Sequence, residues 1–519
     1  MSRGQYIGLD LGTSSLKGVA VTAKGEIVAC GQAAYRTVRD EPGQAEQDPG
    51  DWVRAIRRVV QALAQDAPPS QWRALGLSGM IPTLVLADAS GAPTGPAVTW
   101  EDARAGTQGA AFRGAAAAVL ADEGELYRRT GQRVDGRYLL PMLMRLRESD
   151  PERVRSASWL MGAKDYLYWW LTGECATDPS TATGSGCYDL AGAAWMPELS
   201  AIAGAAADAG TAGRPGTPGL PAVLPPTTLR ALRADVAARL GLPSGLPICL
   251  GAADSVLGML ALGATRPGDV AYVTGTSTVI AAVSERLTVD GAQRCLVTPL
   301  AGVDGWGLEM DLVSTGSAVA WLARLFGLGR GGERKLMELA AEGATTRSAR
   351  AGPEDGSPPS FLPFLGSGEQ GALWDPDLRG SILGLDLSHG PADLAAALVE
   401  GIVLESCRCL DVFEQNGLAP APLRAAGAGA SSPLLRRQLA DASGRDVLFP
   451  ADPECSFSAL GAALIAARSL GEGPADAGVW AGPMERTTSD PSRAAWWKHR
   501  RMRHDDAVER LGRLYRQRS

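Results

Sequence analysis

Three short stretches combine reactive side chains with the small residues that let a ligand come close. The first is GLDLGTSSLKG, beginning at Gly8. Asp10 lies in an apolar run, where an ionised carboxylate is costly unless it is paired or holds a cation. Gly12, Thr13 and Ser14 follow it, with Lys17 beyond the turn. The backbone N–H groups and hydroxyls of such a turn cradle phosphate oxygens without a Walker lysine. The second stretch, VTGTSTVI, repeats the turn as Gly275, Thr276 and Ser277 half a chain later. There Val273 stands in the place of Asp10, and Ile280 in the place of Lys17. One turn carries charge and the other only amides and hydroxyls, which is what a phosphate chain with Mg²⁺ asks of two opposed sides. Either turn alone also reads as a plain hairpin; the pair points to two similar domains facing one ligand. The third stretch, ICLGAADSVLGML, places Asp254 after an apolar strand and two small residues, at a helix start. An Asp there is a helix N-cap or, facing a cleft, a general base for an attacking hydroxyl. Phosphoryl transfer otherwise asks mainly for positioning and charge neutralisation.

The elements that must hold these residues can be read from periodicity. Ile7, Leu9 and Leu11, then Leu16 to Val21, then IVACG predict a β-meander. Trp52, Ile56, Val59, Val60 and Leu63 share one face of a helix in PGDWVRAIRRVVQALAQ. RALGLSGM and TLVLADASGAP read as strand, loop and strand, and residues 109–171 as mostly helical. A Gly- and Pro-rich passage, AGRPGTPGLPAVLPPTTL, marks a loop region before the helix ALRADVAARLG and the strand PICLGAAD. Late in the chain, LRAAGAGASSPLLRRQLAD gives a strand, a small-residue turn and a helix from near Pro433. That turn leaves room for a flat ring such as adenine, or for tight helix–strand packing.

Composition narrows the chemistry. The chain of 519 residues is long enough for two or more domains, and 45% hydrophobic with 21% charged residues suits a globular protein. A net charge of −7 argues against nucleic-acid or anionic-membrane partners. The basic segment WWKHRRMRH is expected on a solvated helix. The eight cysteines, Cys455 among them, form no C-x-x-C pair, and no run approaches the length of a membrane span. A reduced, cytoplasmic protein is expected. Three histidines without H-E-x-x-H disfavour a zinc site, and no lysine is followed by Ser or Thr as a Walker A loop requires.

Taken in order, IGLDLGTSSLKG, EQDPGDWVRA, TWEDARA, KDYLYWWLTGE, GAADS, VTGTS, FLPFLGSGE, LWDPDLRGSILGL and GAGASSPLLRRQLAD resemble the FGGY family of carbohydrate kinases, its xylulokinase branch above all. The resemblance runs over nearly the whole chain. It implies an α/β fold of two duplicated ribonuclease-H-like (actin-like ATPase) domains with ATP and sugar in the cleft between. The expected division is an N-terminal domain over 1–246, a C-terminal domain over 247–480 and a helical tail over 481–519. Carried over residue by residue, Asp10 helps hold Mg²⁺ and Gly12, Thr13, Ser14 and Lys17 meet the terminal phosphate. Gly275 and Thr276 contact the phosphates from the other side, Gly316 lies beside the nucleotide, and Gly427, Ala428 and Ser432 hold adenine. Asp254 falls on the catalytic base. Glu101 and Asp102 belong to a loop on the sugar side.

The sugar half departs from the family pattern. Gln-Met-His-Gly, usual where the loop meets the sugar, is here Met80-Ile81-Pro82-Thr83, which removes an amide and an imidazole able to bond hydroxyls. Pro-Lys-Leu-x-Trp is Pro141-Met142-Leu143-Met144-Arg145, Glu-Arg-x-Pro is Glu369-Gln370-Gly371-Ala372, and the adenine turn Gly-Gly-Gly-Ala is Gly427-Ala428-Gly429-Ala430. A site that bonds a given hydroxyl discriminates strongly, so Met80 and Ile81 loosen or change specificity. The expected activity is ATP- and Mg²⁺-dependent phosphorylation of a sugar or polyol. D-xylulose is the default acceptor, with another ketose or a polyol open, and a homodimer is possible. A non-catalytic actin-like nucleotide switch and a sugar sensor are the rival readings.

Overall fold

A computed structural model describes the chain apart from residues 1–3, 209, 212, 215, 351–357, 367, 368, 370, 420, 452–455 and 517–519, and apart from the side chains of 346–350. Gln370 and Cys455 thus lie outside the described residues.

Two sheets repeat one topology. In the first, β1 (Gln5–Leu11), β2 (Ser15–Thr22) and β3 (Ile27–Ala34) form the expected meander, and β4 (Trp72–Gly79) adds to β1 in parallel. β5 (Leu229–Ala231) and β6 (Pro247–Ala253) complete the order β5-β6-β4-β1-β2-β3. The second sheet uses β7 (Val270–Thr274), β8 (Thr278–Ser284), β9 (Leu296–Pro299), β10 (Trp306–Leu312), β11 (Leu423–Gly427), β12 (Val447–Pro450) and β13 (Met484–Thr487). Its order is β9-β10-β8-β7-β11-β12-β13, with β7, β8 and β10 antiparallel and β11 and β12 joined in parallel beyond β7. The run β3-β2-β1-β4-β6 of one sheet is therefore matched by β10-β8-β7-β11-β12 of the other. Parallel additions need crossovers, and the helices supplying them cover the sheet faces.

Helix α1 (Pro49–Asp66) covers β2 and β3 with the predicted face of Trp52, Ile56, Val59, Val60 and Leu63, all buried. Asp48 caps it, accepting from the Gly50 amide at 2.8 Å, and Pro49 presets its first turn. Helix α2 (Asp254–Ala261) follows β6 directly, and α3 (Gly316–Leu325) follows β10. Helix α4 (Pro391–Gln415) is buried along most of its length in the second core. Helix α5 (Phe457–Ser469) comes late in the chain yet packs on β1 and β4 of the first sheet and on α2. Gly8 and Gly76 make that approach possible: a Cβ at either would lie 1.8 Å from the Ala459 carbonyl oxygen or 2.0 Å from that of Ala462.

Two expectations change here. β6, assigned to the second domain by the division at 246/247, pairs with β4 through Ile248, Cys249, Ala252 and Ala253 and belongs to the first sheet. The basic run WWKHRRMRH is on a helix but only partly solvated: β13 pairs with β12, and helix α6 (Ala494–Arg516) buries Trp497, Arg500 and His504 while Lys498, His499 and Arg503 stay exposed. The acids that make this tolerable come from α4, where Glu400 bonds Arg500 and Glu405 meets His504 at 2.5 Å. Among the described residues no helix is long and apolar enough to cross a membrane.

Candidate active site

The two Gly-Thr-Ser turns are the β1–β2 and β7–β8 hairpins, and both open on a cavity of about 810 Å³ that Asp254 also lines. In the first turn the Gly12 amide bonds the Ser15 carbonyl at 3.2 Å, and Ser14 is exposed. Thr13 is fixed from two sides: Trp100 Nε1 donates to its hydroxyl at 3.0 Å and Gln47 Nε2 to its carbonyl at 2.7 Å. In the second turn the Gly275 amide bonds the Ser277 carbonyl at 2.7 Å. Helix α3 starts against it: the Ser317 amide donates to the Thr276 carbonyl at 3.0 Å, and a Cβ on Gly316 would meet the Gly275 oxygen at 2.1 Å. Only glycine lets the helix begin so near the turn.

Asp10 lies behind the cavity wall, 8% exposed. Ser78 donates to its Oδ1 at 2.9 Å and Ser456 to its Oδ2 at 3.4 Å, and Lys17 is its ladder partner. Burial still holds its pKa above the usual carboxylate range, against the pull of Ser78 and Lys17. A carboxylate so placed has affinity left for a cation. One carboxylate with two hydroxyls suits an ion that keeps water and phosphate oxygens as its other ligands.

Asp254 opens α2 with its side chain half-buried; the Ser255 amide donates to Oδ1 at 2.9 Å, and Ser458 ties its carbonyl at 2.9 Å. Burial first, then the charges of Asp10 and Asp311, push its pKa up to about 7. That is the range in which a carboxylate accepts a proton effectively at neutral pH.

Met80 is buried, anchored by its amide to the Leu11 carbonyl at 2.9 Å, and Ile81 and Pro82 continue the same wall of the cavity. Glu101 also lines it and is paired with Arg39 at 2.7 Å. Asp102 does not line it. Its carboxylate, 1% exposed, accepts from the Ala45 amide at 2.9 Å and holds Arg104, so it braces the loop from within. Gly427 sits at φ +88°, opposite Thr274 in the β7–β11 ladder, and a Cβ there would lie 1.9 Å from the Thr274 oxygen. Ala428 is exposed, and Ser432 caps the helix Pro433–Ser443. Gly427 ends the strand beside the second turn, Ala428 and Ser432 follow it, and all three lie outside the walls of the large cavity.

A family model for the N-terminal domain of the FGGY family of carbohydrate kinases matches residues 5–261, and one for the C-terminal domain matches 270–470. The chain belongs to the FGGY family of carbohydrate kinases. This FGGY kinase is 29% identical to a xylulose kinase of Escherichia coli over 89% of both chains. It is 26% identical to a gluconokinase of Bacillus licheniformis, over 90% of this chain and 88% of that one. Among solved structures, a xylulose kinase from Rhodospirillum rubrum superposes with a TM-score of 0.86 at 29% identity, covering 99% of this chain and all of that one. The duplicated sheets are thus those of the actin-like ATPase fold, and the protein is a sugar kinase of a family that uses ATP.

Several residues of this FGGY kinase's cavity escaped the sequence reading. Trp374, inside the quoted LWDPDLRG, is held by its amide on Glu369 at 2.8 Å and by Nε1 on the Arg294 carbonyl at 2.7 Å. Glu309 and Asp311 were also missed, although two carboxylates one residue apart in WGLEMDLVS were a usable signal: an apolar strand puts both on one face. Burial, then Asp311, pushes Glu309 up to about 8, and burial lifts Asp311 to about 6 against the pull of Arg137. A raised carboxyl binds more protons folded than unfolded, so stability should fall as pH rises from the ordinary Glu value of 4.5 to about 8. Glu309→Gln should therefore melt higher than wild type at pH 8.5 and equally at pH 4.5. A melting difference that ignores pH would refute this.

Proposed function

We infer that this protein transfers the γ-phosphoryl group of ATP to a hydroxyl of a sugar or polyol, with D-xylulose as the first acceptor to test and D-xylulose 5-phosphate as its product. The observation carrying this is Asp254, half-buried in the wall of a cavity that both phosphate-type turns also line. In this reading Asp254 takes the acceptor's proton as the oxygen attacks in line. The amides and hydroxyls of Thr13 and Ser14 on one side, and of Thr276 on the other, face the charge that develops on the phosphoryl oxygens, while Gly12 and Gly275, whose own amides close the two turns, leave the phosphates room to approach. Gly316, Gly427, Ala428 and Ser432 take the nucleoside end, where the absence of bulky side chains leaves the backbone open to a flat ring. Met80, Ile81 and Glu101 border the acceptor.

Asp10 would hold Mg²⁺, which supplies neutralisation of the phosphate chain when bound, while Lys17 across the ladder would meet the terminal phosphate. The support is the donor set: a buried carboxylate with two hydroxyl partners and a raised pKa. The two turns sit on different sheets, so closing the cleft brings their donors together and excludes water that would otherwise accept the phosphoryl group.

Release of ADP in the presence of ATP and Mg²⁺ tests the reading against a panel of ketoses, polyols and aldonates. Acceptor-dependent turnover with at least one of them is expected. ADP release that no acceptor stimulates would favour a nucleotide switch or a sensor instead.

A further inference from the structure

The wall provided by β10 is acidic. Leu308, Met310 and Leu312 turn to the core, while Glu309 and Asp311 reach the cavity from the opposite face of the strand. Their ladder partners, Ala281 and Val279, bring no side-chain donor. The Ser255 hydroxyl beside Glu309 pulls its pKa down against burial. Asp311 keeps one oxygen, Oδ1, that is buried and accepts none among the described residues. Arg137, the guanidinium acting on Asp311, is itself bound to Asp135 at 2.6 Å. A buried carboxylate oxygen without a donor is a lasting cost to the fold. It makes physical sense in a binding cavity when the missing donor arrives on the ligand.

We propose that Glu309 and Asp311 are specificity-determining residues of the acceptor subsite, accepting hydrogen bonds from the hydroxyls of an uncharged polyhydroxy substrate and turning away aldonates. This deepens the kinase reading and rests on it. An aldonate carboxylate in this subsite would face the charge of Asp311 and, once it has lost its proton, that of Asp254, in a cleft where charges are poorly screened. Hydroxyls supply what the wall lacks. Near neutral pH the two differ in charge, since Glu309, pushed up to about 8, is mostly protonated and Asp311, at about 6, mostly ionised. It can therefore both accept from a hydroxyl and donate to one, a match that a carboxylate ligand does not offer. The choice is a real one for this chain, because a gluconokinase is among its relatives.

The test is kcat/KM of the full-length protein, with ATP and Mg²⁺, for D-xylulose, xylitol, glycerol and D-gluconate. Wild type should favour its best uncharged acceptor over gluconate by roughly a hundredfold or more. That ratio needs no variant, and the variants tie it to the pair. Asp311→Asn should raise KM for the uncharged acceptor about tenfold, with a smaller change in kcat and none in KM for ATP. Neutralising both groups, as Glu309→Gln with Asp311→Asn, should shrink the ratio by about tenfold. Gluconate as the best acceptor, or Asp311→Asn with its acceptor KM unaltered, overturns the assignment and leaves the kinase reading standing. Turnover with none of the four, nor with any other ketose or polyol of the wider panel, sinks the assignment together with that reading.

Discussion

Asp254→Ala should lose acceptor phosphorylation by roughly 10²–10⁴-fold while ATP still binds with near wild-type affinity. The separation is expected because Asp254 heads α2 on the first sheet's side, whereas the nucleoside end is assigned to Gly316, Gly427, Ala428 and Ser432 around the second. Asp254→Asn should behave alike, since an amide keeps the shape and the bond to the Ser255 amide but accepts no proton. The wild-type pH profile should carry the same signature. With the carboxyl pushed up to about 7 by burial and by Asp10 and Asp311, kcat/KM should drop roughly tenfold per unit below that pH. Near-normal turnover in Asp254→Ala, or a flat profile from pH 5 to 8, would remove Asp254 from the role of base.

Gly8→Val should be the most damaging single change to the fold. A Cβ at Gly8 would lie 1.8 Å from the Ala459 oxygen and 2.7 Å from the Ala463 nitrogen, and both are helix backbone that cannot swing aside. Helix α5 would have to move off β1, and Gly461, whose own Cβ would lie 2.1 Å from the Leu257 oxygen, shows that it has no slack toward α2. Overpacking of this kind costs on the order of 3 kcal/mol or more. Each kcal/mol is about 2–4 °C in a domain of 150–250 residues, so calorimetry should record a fall well above 5 °C. A Gly8→Val protein melting with wild type would mean that α5 does not sit where it is described.

Local chemistry was legible in the sequence, and pairing at a distance was not. The turns at Gly12 and Gly275 could be read because their small residues are required within a few positions of the feature itself. Helix α1 could be read because its buried face repeats along one segment. The allegiance of β6 was hidden, since its partner β4 ends far upstream at Gly79 and nothing in PICLGAAD records that strand. The basic run of α6 reads as solvated until Glu400 and Glu405 are seen facing Arg500 and His504. Asp102 reads as a ligand group because its captor, Arg104, is two residues away in the same exposed-looking loop. Glu309 and Asp311 were visible as a pattern, and only the fold says which way that face of β10 points.

The position of α5 bears on how the protein is made. Synthesis proceeds from the N-terminus, and early domains commonly fold as units while the ribosome is still at work. Here the face of β1 and β4 that α5 covers has no partner until Ser469 has been added. Until then the first sheet is a half-built layer with a glycine-floored groove at Gly8 and Gly76, awaiting a helix that comes after every strand of the second sheet but β13. The nascent chain must keep that groove unfilled and unaggregated while β7 to β12 are made, so the first sheet is covered only after most of the second exists.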